Sequence, residues 1–383
     1  MLATRLNKLS LRDKSPLPIF AVGLMEPHYK CKFNQIFASN NLIENMVFNG
    51  MKPKIAKLFF LTLLAFSLTG CAHFIAYQIA SQHQIPVSGN ISETFKTSRL
   101  CATSTHCINV QRTSDIEISQ LEFSLSINNE TKVWSFEDNG STAIKNKRHL
   151  IFIFPGFGTP TSIVSIHQQW LSTMTGADVI VIESADSATH FSFGLNAVDP
   201  VISEIERKAP LKVDLVGISM GAVAAHQVAT KVKAVQLHLV APMTNFRHST
   251  MALWNILHRD NIYSSFISTH DIEDAIAIVY QNAKTRASDI DIIKNIKEKP
   301  LRTYVYTSPQ DRVVLESDWE EVDSTDIARY SFSDLNHLEM SSLMDERLLA
   351  RFLSNLLDTD VETNLHTTGL ICRSHQGECE KEL

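Results

Sequence analysis

Residues 213–225 read Val213-Asp-Leu-Val-Gly-Ile-Ser-Met-Gly-Ala-Val-Ala-Ala225, and this stretch restricts the fold of the chain more than any other. An apolar strand runs into Gly217-Ile218-Ser219-Met220-Gly221, and a helix rich in small residues follows. A chain that passes from strand to helix within so few residues puts its central residue in a strained backbone conformation. Gly217 and Gly221 lack the side chains that would collide with the neighbouring strand and helix. Ser219 Oγ is then lifted clear of the sheet, and the N-terminus of the helix points at it. A bare G-x-S-x-G is equally an ordinary strand ending in a Gly-Ser turn. The apolar strand before it and the Ala-rich helix after it make Ser219 a candidate nucleophile.

The rest of the chain has the pattern of a parallel α/β sheet. His149–Phe154 is a nearly continuous apolar run, as in a strand buried on both faces. A helix is expected over about 161–175, a strand over 178–183, and a helix over 199–208 that opens on Asp199 and Pro200. The alternation continues through a helix over 222–231 and strands over 235–240, 302–307 and 329–332, to a last helix over about 343–357. Alternating strands and helices imply a mostly parallel central sheet with helices on both faces. The stretch from about 244 to 300 reads as a helical insertion. Its apolar residues (Met251, Leu253, Trp254, Ile256, Leu257, Ile272, Ala275, Ile276, Ile278 and Val279) either line an acyl pocket or form the underside of packed helices; the second is the commoner use of such a stripe. Before residue 149, residues 72–100 read as a polar tether with one short helix near 74–80. Alternating residues at 116–127 and 131–136, joined by Asn128-Asn129, read as strands and a hairpin.

A serine hydroxyl needs a base, and the base needs an orienting carboxylate on its far ring nitrogen. In an open α/β sheet such groups gather at the carboxyl ends of strands. Asp311 follows the strand 302–307 through Ser308-Pro-Gln, and His337 follows the strand 329–332 through Ser333-Asp-Leu-Asn. Asp318, Asp323 and Asp326 compete with Asp311, and Asp334 sits too near the base on the same loop. Among histidines beyond Asp311, His366 and His375 belong to the C-terminal tail, which leaves His337. The order Ser219, Asp311, His337 and the nucleophile turn resemble those of the α/β-hydrolase superfamily, over about 149–356. That resemblance implies an α/β-hydrolase fold, a lid or cap at 244–300, and a catalytic domain over 149–357. It also implies an oxyanion hole from the backbone N–H groups of Met220 and of the loop Pro155-Gly156-Phe157-Gly158. Proline cannot donate, so Phe157 is the second donor, with Gly158 in reserve. Many relatives carry His-Gly where this chain has Pro155-Gly156.

A separate signal lies upstream. Met51-Lys-Pro-Lys-Ile-Ala-Lys57 is basic, residues 58–68 are apolar apart from Thr62 and Ser67, and Leu68-Thr69-Gly70-Cys71 follows. This is the layout of a secretory signal peptide, and its end resembles the lipobox of bacterial lipoproteins. The resemblance implies cleavage before Cys71, lipidation of its thiol, and anchoring in the cell envelope. Ala72 in the next position is compatible with the outer membrane, facing the periplasm. The competing reading, a membrane span over 58–80, meets His73, Gln78 and the Gly70-Cys71 break. A signal peptide over 51–71 is expected to work only if translation begins at Met51 or Met46, so residues 1–50 are left out of the fold.

Charge and cysteine use bound the partners. The chain has 35 basic and 41 acidic residues; residues 1–71 hold nine and three of them, so residues 72–383 carry 26 against 38, a net charge of −12. Such a balance disfavours nucleic acid and anionic lipid surfaces, so membrane attachment would rest on acyl chains. Cys101 with Cys107, and Cys372 with Cys379, are close pairs suited to local disulfides in an oxidising compartment; both lie outside the expected catalytic core. Neither pair has the spacing of a metal site, and no cofactor is expected. The expected activity is hydrolysis of a carboxylic or lipid ester, although a thioester, amide or peptide bond needs the same parts; an acyltransferase on the same scaffold and a catalytically silent envelope-binding lipoprotein are the alternatives. Oligomeric state is not encoded in any of these signals.

Overall fold

The computed structural model describes residues 72–81, 87–89, 95–113, 120–127, 130–137, 148–159, 164, 167–168, 171–172, 175–185, 188, 190–258, 267–298, 301–322, 324–343, 345–358 and 370–373. The calls on residues 1–71, including the signal peptide and Cys71, lie outside these, as does Cys379. Among the described residues no helix is long and apolar enough to cross a membrane.

The strands are β1 (Val87–Gly89), β2 (Phe95–Cys101), β3 (Cys107–Thr113), β4 (Gln120–Ile127), β5 (Glu130–Glu137), β6 (His149–Phe154), β7 (Asp178–Ile182), β8 (Lys212–Ile218), β9 (Val235–Val240), β10 (Thr303–Thr307), β11 (Ile327–Ser331) and β12 (Leu370–Arg373). The helices are α1 (72–80), α2 (Val198–Lys208), α3 (Gly221–Ala229), α4 (Phe246–His258), α5 (Thr269–Asn282), α6 (Ile292–Glu298), α7 (His337–Ser342) and α8 (Glu346–Leu357). Between β6 and β7, Val164, His167, Gln168, Leu171, Ser172 and Thr175 are helical.

One sheet has eight strands in the order β11–β10–β9–β8–β6–β7–β3–β2. β6 through β11 pair in parallel; β3 runs antiparallel to β7, and β2 antiparallel to β3. Every residue of β6 and β10 is buried, as apolar runs require when helices cover both faces. The register separates those faces. Gly217 pairs with Leu239, and its face receives α3, whose Ala222 and Ala225 come up against Gly217. One residue along, Val216 pairs with His238; that opposite face receives α8, where Phe352 meets the His238 ring at 5.3 Å and Asn355 Nδ2 donates to Tyr306 Oη at 2.9 Å.

Two strands of this sheet come from chain expected to be outside the core. Residues 95–100 fall in the stretch read as a polar tether, yet β2 and β3 extend the sheet beyond β7. They were hard to read because polar residues interrupt the apolar pattern. Leu100, Ile108 and Val110 are buried, while Lys96, Arg99 and Arg112 break the apolar pattern. Arg112 instead bonds Asp178 and Glu204, at 3.3 and 2.7 Å, tying β3 to β7 and α2. The Cys101–Cys107 pair, placed by sequence outside the core, closes the β2–β3 hairpin as a disulfide. The expected hairpin at 128–129 joins β4 to β5, in a separate four-stranded sheet of order β1–β4–β5–β12. Its last strand contains Cys372 and comes from the C-terminal tail, where no strand was expected.

The insertion after β9 is helical, as expected, and forms α4, α5 and α6. Phe246, Trp254, Ile272, Ala275, Ile276, Val279 and Ile292 are buried in the common core, with Met251, Leu253 and Ile278 packed against it. The stripe is thus mostly the underside of packed helices. Ile256 is exposed, and the side chain of Leu257 lies outside the described residues. Gln227 of α3 donates to Asp289 O at 3.1 Å, which holds the start of α6 against the nucleophile helix.

Candidate active site

Ser219 sits between the end of β8 and the start of α3 with φ 50°, a left-handed conformation that is rare outside glycine. Three backbone hydrogen bonds hold it there. Ser219 N–H donates to Val240 O at 2.9 Å, and Ser219 O accepts from Ala222 N at 3.1 Å and Met243 N at 3.0 Å. The flanking glycines do what the sequence requires of them. A Cβ on Gly221 would lie 2.0 Å from Phe154 O, and one on Gly217 would lie 2.5 Å from Ala222 Cα. Both contacts are with backbone, which cannot swing aside.

The other two residues arrive from strands further along the sheet. After β10, Ser308-Pro-Gln-Asp311 forms a turn in which Asp311 N–H donates to Ser308 O at 3.1 Å. Asp311 is buried. Its Oδ1 accepts from Val313 N and Val314 N at 2.8 and 3.0 Å, which fixes the carboxylate plane. His337 is the first residue of α7, behind Asn336, which caps the helix in a reciprocal pair with Glu339. Asp311 Oδ2 lies 2.7 Å from His337 Nδ1, and His337 Nε2 lies 3.0 Å from Ser219 Oγ. A carboxylate can only accept, so Nδ1 carries the ring hydrogen and Nε2 presents its lone pair to the serine hydroxyl. This tautomer is the one a base needs.

The competing carboxylates lie elsewhere. Asp318 is bonded to the Thr244 hydroxyl, and Asp334 forms an exposed ion pair with Arg347. Asp326 accepts through its backbone from Thr303, and Asp323 lies outside the described residues.

The loop Pro155–Gly158 abuts the nucleophile. A Cβ on Gly156 would stand 3.1 Å from Ser219 Cβ, so Phe157 follows directly beside the serine. On the other side Met220 is the N-cap of α3. Ala222 and Val223 N–H bond back to Ser219 O and Met220 O, both at 3.1 Å, which leaves Met220 and Gly221 as the donors of the first turn without a helical acceptor. The two donors named from sequence, Met220 and Phe157, therefore flank Ser219 from two segments.

Two contributors were missed in the sequence. Ser308, buried, donates through its hydroxyl to Leu335 O at 2.5 Å and so ties the loop of Asp311 to the loop of His337. His167 bonds through Nε2 to Ser342 O, at the far end of the helix that His337 begins. Burial lowers its pKa to about 4, so the ring is neutral and Nε2 is the donor to that carbonyl. A serine before a proline and a lone histidine in a helix give no sequence signal of such long-range partners.

Strand order, a serine elbow after the fifth strand of the large sheet, and acid and base after the seventh and eighth define an α/β-hydrolase fold. No protein-family model matches the chain, and no curated protein matches it. Among solved structures it is similar to an esterase from Pyrococcus furiosus, at 12% identity over 73% of this chain and 99% of that one, with a TM-score of 0.48. It is also similar to a carboxylesterase from Nitrososphaera gargenis (11% identity, 61% and 98% covered, TM-score 0.38) and a lipase-esterase related protein from Clostridium acetobutylicum (16%, 57% and 97%, 0.38). The fold is defined by this chain's own strand order.

Proposed function

We propose that this protein is a serine hydrolase of carboxylic esters, lipid esters included, anchored to a membrane through lipid on Cys71. The observation that carries the catalytic part is the continuous hydrogen-bonded line from Asp311 through His337 to Ser219, ending on a strained backbone at the carboxyl edge of the sheet. Ser219 Oγ attacks the acyl carbon as His337 Nε2 takes its proton. Asp311 holds the imidazole and steadies the imidazolium. The N–H groups of Met220 and Phe157 receive the tetrahedral oxyanion. The imidazolium then protonates the departing alcohol, leaving the acyl group on Ser219. A water molecule gives its proton to His337, attacks the acyl carbon, and releases the acid with the serine restored.

The anchor rests on the basic segment, apolar run and Leu68-Thr69-Gly70-Cys71 ending of residues 51–71. It places the enzyme in a bacterial envelope, on the periplasmic face of the outer membrane.

The test is fluorophosphonate labelling followed by peptide mapping, beside Ser219→Ala and Asp311→Asn. The native protein is expected to label at Ser219 and the alanine variant to lose the adduct. Asp311→Asn is expected to lower ester turnover by about 10⁴-fold, as loss of the carboxylate does in a serine triad. A folded native protein that takes no label rejects the nucleophile assignment, and a fall of only a few-fold rejects Asp311.

A further inference from the structure

Next to the loop that abuts the serine stands a cluster of five aromatic rings drawn from four separate segments. Phe157 belongs to the loop that abuts Ser219. Its ring meets Phe191 edge-on, with centroids 6.0 Å apart. Phe191 meets Phe193 at 4.8 Å and Phe246 at 6.5 Å. Phe193 and Phe246 are 4.8 Å apart, and each lies 5.5 Å from Tyr280 of α5. Phe246 begins α4 three residues beyond Met243, whose N–H is bonded to Ser219 O. The cluster therefore touches the nucleophile's surroundings on two sides.

Burial divides the five rings. Phe193 and Phe246 are buried, so they form a base that takes no ligand. Phe157, Phe191 and Tyr280 are only partly buried, and of these Phe157 belongs to the loop beside Ser219, with Phe191 in ring contact with it. The backbone shows that this division is imposed. Phe193 has φ 57°, strained for a bulky residue, and Gly194 continues with φ 77°. At that reversal the Phe193 ring is buried in the core, while Phe191, two residues earlier, is partly buried and meets Phe157. Strain of this kind persists where surrounding packing holds it, and it clusters at functional sites.

We propose that Phe157 and Phe191 form the wall against which the acyl chain of the substrate lies, so that the enzyme selects apolar acyl groups of medium length over acetyl. This rests on the serine hydrolase reading above and adds the substrate class. In this proposal the acyl carbon is bonded to Ser219 Oγ in the intermediate, and its chain runs past the loop that holds Phe157, which abuts the serine at Gly156. Each methylene buried there contributes ~0.8 kcal/mol, about fourfold in kcat/KM. Hexanoyl carries four more methylenes than acetyl, which is ample for a readable preference.

The experiment compares p-nitrophenyl hexanoate with p-nitrophenyl acetate for the full-length protein, Phe191→Ala and Phe191→Leu, each titrated for labelled Ser219. The native protein is expected to prefer hexanoate. Phe191→Ala is expected to lower the hexanoate-to-acetate ratio of kcat/KM by at least about tenfold, chiefly through KM, and Phe191→Leu to keep most of it. A ratio that stays the same or rises in Phe191→Ala while Ser219 still labels overturns the wall and leaves the hydrolase reading standing. A folded native protein without label at Ser219 overturns both. Should Phe191→Ala not fold, Phe191→Thr takes its place: a lowered hexanoate-to-acetate ratio in Phe191→Thr that still labels at Ser219 upholds the wall, and an undiminished ratio overturns it.

Discussion

Ser219 keeps its left-handed backbone because its neighbours leave it no alternative. Its N–H and C=O are both engaged, and the two glycines beside it sit where strand β6 and helix α3 leave no room for a Cβ. Gly221 is the tighter of the two. In Gly221→Ala the new methyl would lie 2.0 Å from Phe154 O and 2.5 Å from Pro155 O. Separating them means moving β6 or the Pro155–Gly158 loop, and overpacking of this severity costs about 3 kcal/mol or more. Denaturant melts should show that loss together with loss of ester turnover; a variant of native stability would mean the turn is looser than described. Two histidines make a second prediction. Burial lowers His167 and His226 to about 4 from an ordinary 6.5. Between those pH values the unfolded chain binds protons that the folded protein refuses. Stability from each is complete above about pH 6.5 and declines as pH falls towards 4, by roughly 3 kcal/mol for a shift of this size. The stability difference between the native protein and His226→Leu should therefore change with pH across this window. A constant difference from pH 7 to 4.5 would reject a neutral buried His226.

At the scale of elements, the proposed catalysis rests on two loops that follow adjacent strands. β10 and β11 pair in parallel, so the loops after them leave the same edge of the sheet. One brings Asp311 and the other His337. Sheet pairing alone does not place a carboxylate within 2.7 Å of an imidazole; the Ser308 hydroxyl, bonded to Leu335 O, sets the spacing between the loops. Ser308→Ala removes that tie and touches no substrate. It should destabilise the fold by only about 1 kcal/mol, the net worth of a typical hydrogen bond. Its effect on turnover should be larger, towards 10²-fold in kcat if the base shifts by an ångström, with KM little altered. Equal losses in KM and kcat would argue that Ser308 acts on substrate binding instead. The nucleophile turn was readable because every constraint on it is local. That Asp311 and His337 meet was readable only through chain order, since they lie 26 residues apart and His337 lies 118 from Ser219.

At the scale of the molecule, the large sheet reaches further towards the N-terminus than the apolar pattern suggested. β2 and β3 form its outer edge, and their disulfide-closed hairpin is bound to β7 and α2 through Arg112. The apolar pattern did not reveal them, because Lys96, Arg99, Gln111 and Arg112 interrupt it. The proposed anchor makes its own prediction. In the bacterial envelope, Cys71→Ser should abolish incorporation of labelled palmitate and leave the signal segment uncleaved. Palmitate that persists in Cys71→Ser, or a native protein that takes none, would reject lipidation at this residue. With a net charge of −12 over residues 72–383, membrane association should resist high salt, since acyl chains and not surface charge would hold it.

The sequence by itself determined the parallel alternation of strands and helices, the elbow at Ser219, and the order in which acid and base follow it. These are written in periodicity and in short spacings, where neighbours in sequence are neighbours in space. Only the tertiary structure decided that Asp311, and not Asp318 or Asp334, faces His337. It alone brought β2 and β3 to the sheet edge, made Ser308 and His167 braces, and gathered Phe157, Phe191, Phe193, Phe246 and Tyr280 beside the serine. Each of those outcomes joins residues far apart in the chain. Their contacts come from close packing and hydrogen bonds formed after the elements assemble, and such contacts leave no periodic trace in the order of amino acids.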